Sequence, residues 1–386
     1  MKILIIANGY PDEKDPQFGC FERDQAIALA NLEHQVSIMY VDRRFRLYKR
    51  HIGIIKKNFH NYSVYGMFYL PLGWLLNIFT YKIYYYIVKH MFMKIYNVYC
   101  KENGIPDVIY AHYIWNIAYA ASLKEINQTP LVGIEHWSGM TFPALSRIAY
   151  FYGNIAYSNA DKLLAVSQSL QSHIKRHFSK DSIVVYDMLG QEFITSKILK
   201  RKVGNEFIFI AVGSLLPVKD YSMLISAFGK SKLAERGCVL KIVGEGSEHA
   251  VLEKVIQDSR LNSNVFLMGR KTKDDIIDLL ATSHVFVLSS KAETFGVACI
   301  EALSQGLPAV ATKCGGPEEF IDESNGILVE PGNDELMSKA LINIYENYSK
   351  FDRIAIAERC RLKFAPQTIA KQLTDVFEEV LKKKNK

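Results

Sequence analysis

Short apolar runs alternate with amphipathic stretches along the whole chain, and most runs end in a loop rich in glycine, proline or charge. In the first half the runs predict strands at Ile3–Ala7, Gln35–Val41, Val108–Ala111, Leu131–Ile134, Lys162–Val166 and Ile183–Tyr186. Helical spacing intervenes at Glu22–Leu32, Phe79–Cys100, Ile117–Glu125, Ser146–Ser158 and Ser167–Arg176. A polar stretch, Lys197–Asn205, reads as a linker. A second strand series follows at Phe207–Val212, Val239–Val243, Val265–Leu267, Val285–Leu288, Ala309–Ala311 and Ile327–Val329. Helices are expected between them at Ser222–Lys230, Ala250–Ser259, Asp274–Ala281, Val297–Gln305 and Glu335–Tyr348. Such alternation predicts an α/β chain of parallel sheets covered on both faces. At 386 residues it exceeds one typical core. The expected division is residues 1–196, residues 206–365, and a C-terminal helix with a basic tail over 366–386 that packs back on the first domain. Two doubly wound, Rossmann-like domains would face each other across a cleft, with ligands beyond the carboxyl ends of the strands.

Charge changes the picture in one place. The net charge is +7, yet no acidic residue occurs between Asp42 and Glu102. Arg43, Arg44, Arg46, Lys49, Arg50, Lys56 and Lys57 cluster there, followed by the aromatic-rich Tyr65–Leu76 and Tyr84-Tyr-Tyr-Ile-Val. This basic aromatic insertion, about residues 43–100, supports two readings. One is docking on an anionic membrane surface, with aromatics at the interface; the other is a solvated basic loop followed by ordinary core helices. A spanning helix over Val64–Tyr81 is interrupted by Pro71, Gly73 and Asn77. Nucleic acid is disfavoured, because no recognition motif accompanies the charge. The cysteines at 20, 100, 238, 299, 314 and 360 form no Cys-x-x-Cys pair. Free thiols in a reducing cytoplasm are expected, without structural zinc. The opening Met1–Gly9 reads as a first strand and its loop, not as a signal peptide.

Candidate chemistry concentrates in Glu293-Thr-Phe-Gly-Val-Ala-Cys-Ile-Glu301. A buried strand precedes it, and Gly306 and Pro308 stop the helix after it. Gly296 permits close approach to the backbone, and first-turn N–H groups attract anions. Two carboxylates beside an anion site suit a ligand with both a diphosphate and hydroxyls, as in a nucleotide-sugar. Further glycine turns follow strands at Gly213-Ser214, Gly244-Glu-Gly246, Gly269-Arg270 and Gly315-Gly316. Lys219 would neutralise a diphosphate leaving group; alone it would read equally as a solvated lysine. By itself, His136 in Glu135-His-Trp137 reads as a hydrogen-bonded strand-end histidine, and Glu301 as a surface residue.

In their order and spacing these pieces resemble glycosyltransferase family 4, the retaining enzymes of the GT-B fold. They are Val212-Gly-Ser-Leu…Lys219, Val243-Gly-Glu-Gly, Val265-Phe-Leu-Met-Gly269, Glu293-Thr-Phe-Gly…Glu301-Ala-Leu, Gly315-Gly-Pro-Glu-Glu and Gly326-Ile-Leu-Val…Pro331-Gly. The first half matches at Gly19-Cys-Phe21, Ile109-Tyr-Ala-His112, Gly133-Ile-Glu-His136 and Ala165-Val-Ser167.

The resemblance implies an acceptor-side first domain and a nucleotide-sugar-binding second domain. It implies that Glu293 contacts the donor sugar and that Phe295 and Gly296 N–H groups hold the diphosphate. Glu301 would hold the ribose, Lys219 the leaving charge, and Gly19 would let the first domain close over the phosphates. Ser214, Gly244, Arg270, Thr294 and Val297 complete the implied donor set. His136 would sit near sugar and acceptor, with His112, Tyr113 and Trp115 on the acceptor side. Three departures stand out: Ser214 replaces a basic residue, His284 replaces an Asp, and Tyr186-Asp-Met-Leu-Gly190 stands where Pro-Asn-Gly is common.

The implied activity is retaining, metal-independent transfer of a hexose-type sugar to a hydroxyl of a glycan or lipid-linked oligosaccharide, as in bacterial surface polysaccharide synthesis. No cofactor beyond the nucleotide-sugar is expected. The expected location is cytoplasmic, with the inner membrane's cytoplasmic face as a docking surface. The alternatives are a nucleotide-sugar epimerase of the same fold and a non-catalytic nucleotide-sugar-binding protein. A dehydrogenase is disfavoured, because Gly9-Tyr-Pro-Asp lacks Gly-x-Gly-x-x-Gly.

Overall fold

The computed structural model describes residues 1–44, 53–68, 73–198 and 206–384, and of residues 73–79 it describes the backbone alone. The chain divides into two units, Met1–Asp187 with Pro366–Lys386, and Met188–Ala365.

The first unit runs β1 (Lys2–Ala7), α1 (Cys20–Ala30), β2 (Gln35–Asp42), β3 (Gly53–Asn58), β4 (Tyr62–Phe68), α2 (Gly73–Asn103), β5 (Val108–His112), α3 (Tyr113–Asn127), β6 (Leu131–Glu135), α4 (Arg147–Asn159), β7 (Lys162–Ala165), α5 (Gln168–Phe178) and β8 (Ile183–Val184). Its strands lie in the order β3-β4-β2-β1-β5-β6-β7-β8. Pairing is parallel except between β3 and β4. Ile3, Leu4, Ile5 and Ile6 are fully buried, as strands covered on both faces require. Ser146 and Ser167 cap α4 and α5 by accepting N–H groups of Ala149 and Leu170.

The hairpin β3–β4 corrects the reading of residues 53–68 as a loop, while α2 bears out the core helix expected after it, with Val88, Phe92, Ile95 and Tyr96 fully buried. Tyr62, Val64 and Tyr65 are buried, and the Tyr65 ring meets Tyr99 edge-on at 5.6 Å. Tyr40 lies over Gly66, where a side chain would not fit. Lys56 and Lys57 fall on the outer strand, whose unpaired edge such charges protect. Lys56 pairs with Glu102 at 2.5 Å, and Arg44 with Asp15 at 2.7 Å and Asp42 at 3.0 Å. Arg46, Lys49, Arg50 and residues 69–72 of the aromatic stretch lie outside the described residues. Among the described residues no helix is long and apolar enough to cross a membrane.

The second unit runs α6 (Gln191–Thr195), β9 (Phe207–Val212), α7 (Tyr221–Lys230), β10 (Cys238–Val243), α8 (His249–Asp258), β11 (Val265–Leu267), α9 (Lys273–Thr282), β12 (Val285–Leu288), α10 (Val297–Ser304), β13 (Ala309–Thr312), β14 (Gly326–Val329), α11 (Asp334–Glu346) and α12 (Arg353–Phe364). Its sheet is parallel, in the order β11-β10-β9-β12-β13-β14. Phe209, Leu224, Phe228, Leu240 and Leu341 are fully buried in its core.

The division between units falls at Asp187–Met188, earlier than the expected boundary at 196. Long-range contacts explain the difference. The Leu189 N–H bonds the Phe364 carbonyl at 2.9 Å, Phe193 is fully buried, and Arg361 donates to the Ser196 carbonyl at 2.9 Å. Of the expected linker, residues 199–205 lie outside the described residues. The last helix, α13 (Pro366–Lys384), belongs to the first unit, where Phe377 meets Tyr110 at 5.2 Å and Thr374 bonds His34 at 2.9 Å.

Candidate functional site

In the second unit, the loops after β9, β10, β11, β12 and β13 join at the carboxyl end of the sheet, where doubly wound folds bind ligands. Gly213 donates to Val243 at 2.9 Å, and Gly244 donates to Gly269 at 3.0 Å. Gly244 has φ 150°, and a Cβ there would lie 1.9 Å from the Gly213 carbonyl oxygen. No other residue fits that contact. Glu293 is tied to the next loop: its N–H bonds the Cys314 carbonyl at 2.8 Å, and its carbonyl accepts from Gly316 at 3.2 Å. Phe295 is buried against Phe320 and Phe364, which anchors the loop.

Lys219 and Glu293 meet here. Their Nζ–Oε1 distance is 2.5 Å, and the Ser290 hydroxyl donates to the same carboxylate oxygen at 2.7 Å. Ser289 fixes the lysine backbone by donating to the Lys219 carbonyl at 2.7 Å. Gly296, at φ 98°, caps α10, and its carbonyl accepts the Cys299 N–H at 2.9 Å. Thr294 and Val297 flank it, both half-buried, and Glu301 lies half-buried further along the same helix. Ser214 and Arg270 are exposed on neighbouring loops. His284, whose role was open, belongs to the scaffold: its Nδ1 accepts the Ile208 N–H at 3.1 Å and its ring stacks on Phe207 at 4.4 Å.

The first unit holds a second constellation. His136 follows β6, with Nε2 3.1 Å from His112 Nδ1 and Nδ1 3.2 Å from Asp187 Oδ1. Glu135 is fully buried, accepting the His136 and Trp137 N–H groups at 3.0 and 2.8 Å and the Tyr157 hydroxyl at 2.5 Å. Glu22 accepts the Asn8 N–H at 3.0 Å. Burial pulls the His136 pKa down, but the Asp187, Glu22 and Glu135 carboxylates outweigh it and raise it above the ordinary value. His112 is driven well below its ordinary value by burial and by the His136 charge. The two imidazoles are thus biased apart, His136 toward the charged form and His112 toward the neutral one. His112, expected to line an acceptor site, is fully buried, with its Nδ1 on His136. Tyr113 adopts φ 67°, a strained left-handed conformation, with its ring 5.1 Å from His136. Trp115 is half-buried, 5.3 Å from Trp137. Gly19, at φ 76°, caps α1 against the Gly9 carbonyl.

Glu22, Glu135 and Asp187 were not singled out from the sequence. Glu135 adjoins His136, and Asp187 occupies the position where Pro-Asn-Gly is absent, so both carried a local signal. Glu22 carried none beyond its place in the first turn of α1. Among the described residues, no group of three or more His, Cys, Asp or Glu side chains is arranged to hold a metal ion.

Two Rossmann-like units with these strand-end loops define the GT-B fold. Residues 194–360 match the family of glycosyl transferases group 1, so the second unit is a group 1 glycosyltransferase domain. The chain is 25% identical to N-acetyl-alpha-D-glucosaminyl L-malate synthase of Bacillus anthracis, over 72% of this chain and 75% of that protein. It is 30% identical to the lipopolysaccharide core biosynthesis glycosyltransferase LpsE of Rhizobium meliloti, over 46% of this chain and 50% of that one. Among solved structures it superposes on Anabaena Alr3699/HepE in complex with UDP and glucose, with TM-score 0.71 and 20% identity, over 98% and 99% of the two chains.

Proposed function

We propose that this chain is a retaining, metal-independent glycosyltransferase that moves a hexose-type sugar from a nucleoside diphosphate to a hydroxyl of a glycan or lipid-linked oligosaccharide. The observation that carries the reading is the Lys219–Glu293–Ser290 cluster beside the Gly296 cap in a group 1 domain. Lys219 and the first-turn N–H groups meet the charge growing on the leaving diphosphate, in place of a metal. Glu293 orients the sugar hydroxyls and Glu301 the ribose; neither serves as acid or base. The acceptor hydroxyl attacks the face from which the diphosphate departs. Its proton passes to the leaving phosphate oxygen, and the anomeric configuration is kept.

Both His136 nitrogens already face protein partners, so its contribution is electrostatic, through a ring that Asp187 biases toward the charged form. The UDP and glucose bound by HepE, and the polysaccharide role in the name of LpsE, support a nucleotide-sugar donor and a surface-glycan product.

The test is turnover of Glu293→Ala on UDP- and GDP-sugars selected by thermal protection. A folded variant with full transfer activity would sink the assignment. Sugar change without an acceptor would point to an epimerase. Unchanged wild-type turnover in chelator is the expected sign of metal independence.

A further inference from the structure

Two adjacent arginines follow β2, and the fold treats them differently. Arg44 is held by the carboxylates of Asp15 and Asp42. Arg43, half-buried, points among neutral groups. Its Nη1 lies 3.4 Å from the Tyr119 hydroxyl and its Nη2 3.4 Å from Asn8 Oδ1, both at the long limit of hydrogen bonding. The guanidinium sits 5.4 Å from the Tyr119 ring, with the Tyr84 and Tyr152 phenols nearby.

Among the described residues no carboxylate pairs with it. Residues 45–52, 69–79, 199–205 and 385–386 contain neither Asp nor Glu, so those segments have none to supply. A guanidinium cannot escape burial by losing its proton. Two long bonds to neutral oxygens are poor compensation for its lost hydration.

Its surroundings fit a ligand. Arg43 follows the last residue of β2 and contacts Asn8 just beyond β1, at the carboxyl end of the sheet. Tyr119 and Tyr152 share a hydroxyl–hydroxyl bond of 2.9 Å. Trp115 packs on Tyr152 at 5.0 Å and on Trp137 at 5.3 Å. Both tryptophans are partly exposed, whereas Tyr119 and Tyr152 are buried and back them from the core. The partly exposed Trp115 and Trp137, near a half-buried guanidinium with no carboxylate partner among the described residues, suit a sugar that carries an oxyanion.

We propose that Arg43 is the anion-recognising residue of an acceptor subsite, taking a phosphate or carboxylate carried on a sugar. Its assignment to the acceptor rests on the transferase reading above; the anion site itself does not.

The test is thermal unfolding of the full chain with glucose 6-phosphate, glucuronate or glucose, for wild type, Arg43→Gln and Lys219→Met. The expected result is a wild-type shift with at least one charged sugar and none with glucose. Arg43→Gln should weaken the apparent affinity by about tenfold or more, while Lys219→Met keeps it. Without ligand, Arg43→Gln should melt at or above the wild-type temperature, because an uncompensated cation is gone. Response to the phosphate alone or the carboxylate alone assigns the oxyanion. An unaltered response in Arg43→Gln overturns the proposal, as does no wild-type response, or a lower ligand-free melting point for Arg43→Gln. UDP- and GDP-sugars in the same assay report on the donor reading separately, so an Arg43-dependent response without nucleotide-sugar protection would leave the anion site standing and remove the transferase.

Discussion

Changing Lys219 to Met and Glu293 to Gln, singly and together, distinguishes a catalytic pair from a structural brace. The two charges lie 2.5 Å apart with side-chain exposures of 24% and 13%. At an effective dielectric of about 20, the gross attraction is ~7 kcal/mol. Desolvation of two partly buried ions returns most of it, which leaves a coupling of roughly 1–3 kcal/mol. Lys219→Met strands a carboxylate that keeps the Ser290 hydroxyl as a partner, so its stability loss should lie toward the lower end. Catalysis is a separate matter. Removing the cation that meets the leaving diphosphate should lower kcat by ~10²–10³-fold. The two substitutions should be far from additive in transfer, because both act on one bound donor. Urea unfolding measures the first coupling, and transfer of radiolabelled sugar measures the second. A Lys219→Met enzyme that unfolds more easily yet transfers sugar at the wild-type rate would refute the reasoning.

Three further substitutions have expected outcomes. Gly244→Ala should lose ~2–4 kcal/mol in urea unfolding, since a Cβ 1.9 Å from the Gly213 carbonyl must displace backbone at a φ that side chains rarely adopt. Asp187→Asn should move the His136 imidazole titration, followed by NMR, to lower pH, because it removes the nearest carboxylate favouring the charged ring. The folded-state pKa of His136 is raised, so its protonation stabilises the fold fully below the unfolded value of about 6.5 and ceases to do so as pH rises through the folded value. The difference in urea midpoint between about pH 6 and pH 9 should therefore shrink in Asp187→Asn relative to wild type. His136→Gln should lower transfer while leaving nucleotide protection in thermal unfolding intact, because the charge it removes belongs to the first unit; equal loss of both would argue against its assigned role.

Much of the second unit was legible in the sequence, for a definite reason. The strands β9 and β12 have the predicted bounds because each is a continuous apolar run closed by a polar or glycine boundary. Its glycine turns were legible too, since a turn at positive φ after a strand favours glycine, as at Gly244, Gly269, Gly296 and Gly315. The hairpin β3–β4 was not, because lysines that protect an edge strand resemble a solvated basic loop, and buried tyrosines resemble an interfacial belt. The early division between units was hidden for another reason. Polar composition marks where a chain can cross, whereas the buried Phe193 and the Arg361–Ser196 bond decide where it does.

The buried charges of the first unit were the least legible, because each acquires meaning only through partners far away in the chain. Glu22 on α1, Glu135 on β6 and Asp187 beyond β8 surround one imidazole only once the sheet has set those elements side by side. The same topology leaves Arg43 without an acid, although Asp42 precedes it, because that carboxylate is committed to Arg44. Asn at position 187 would have left His136 without its nearest charge, and an acid in place of Asn8 or Tyr119 would have cancelled Arg43. Folding stability favours such pairings wherever a cation is buried. That His136 has one and Arg43 does not is the asymmetry expected of an internal charge to be retained and a ligand-directed charge to be left open.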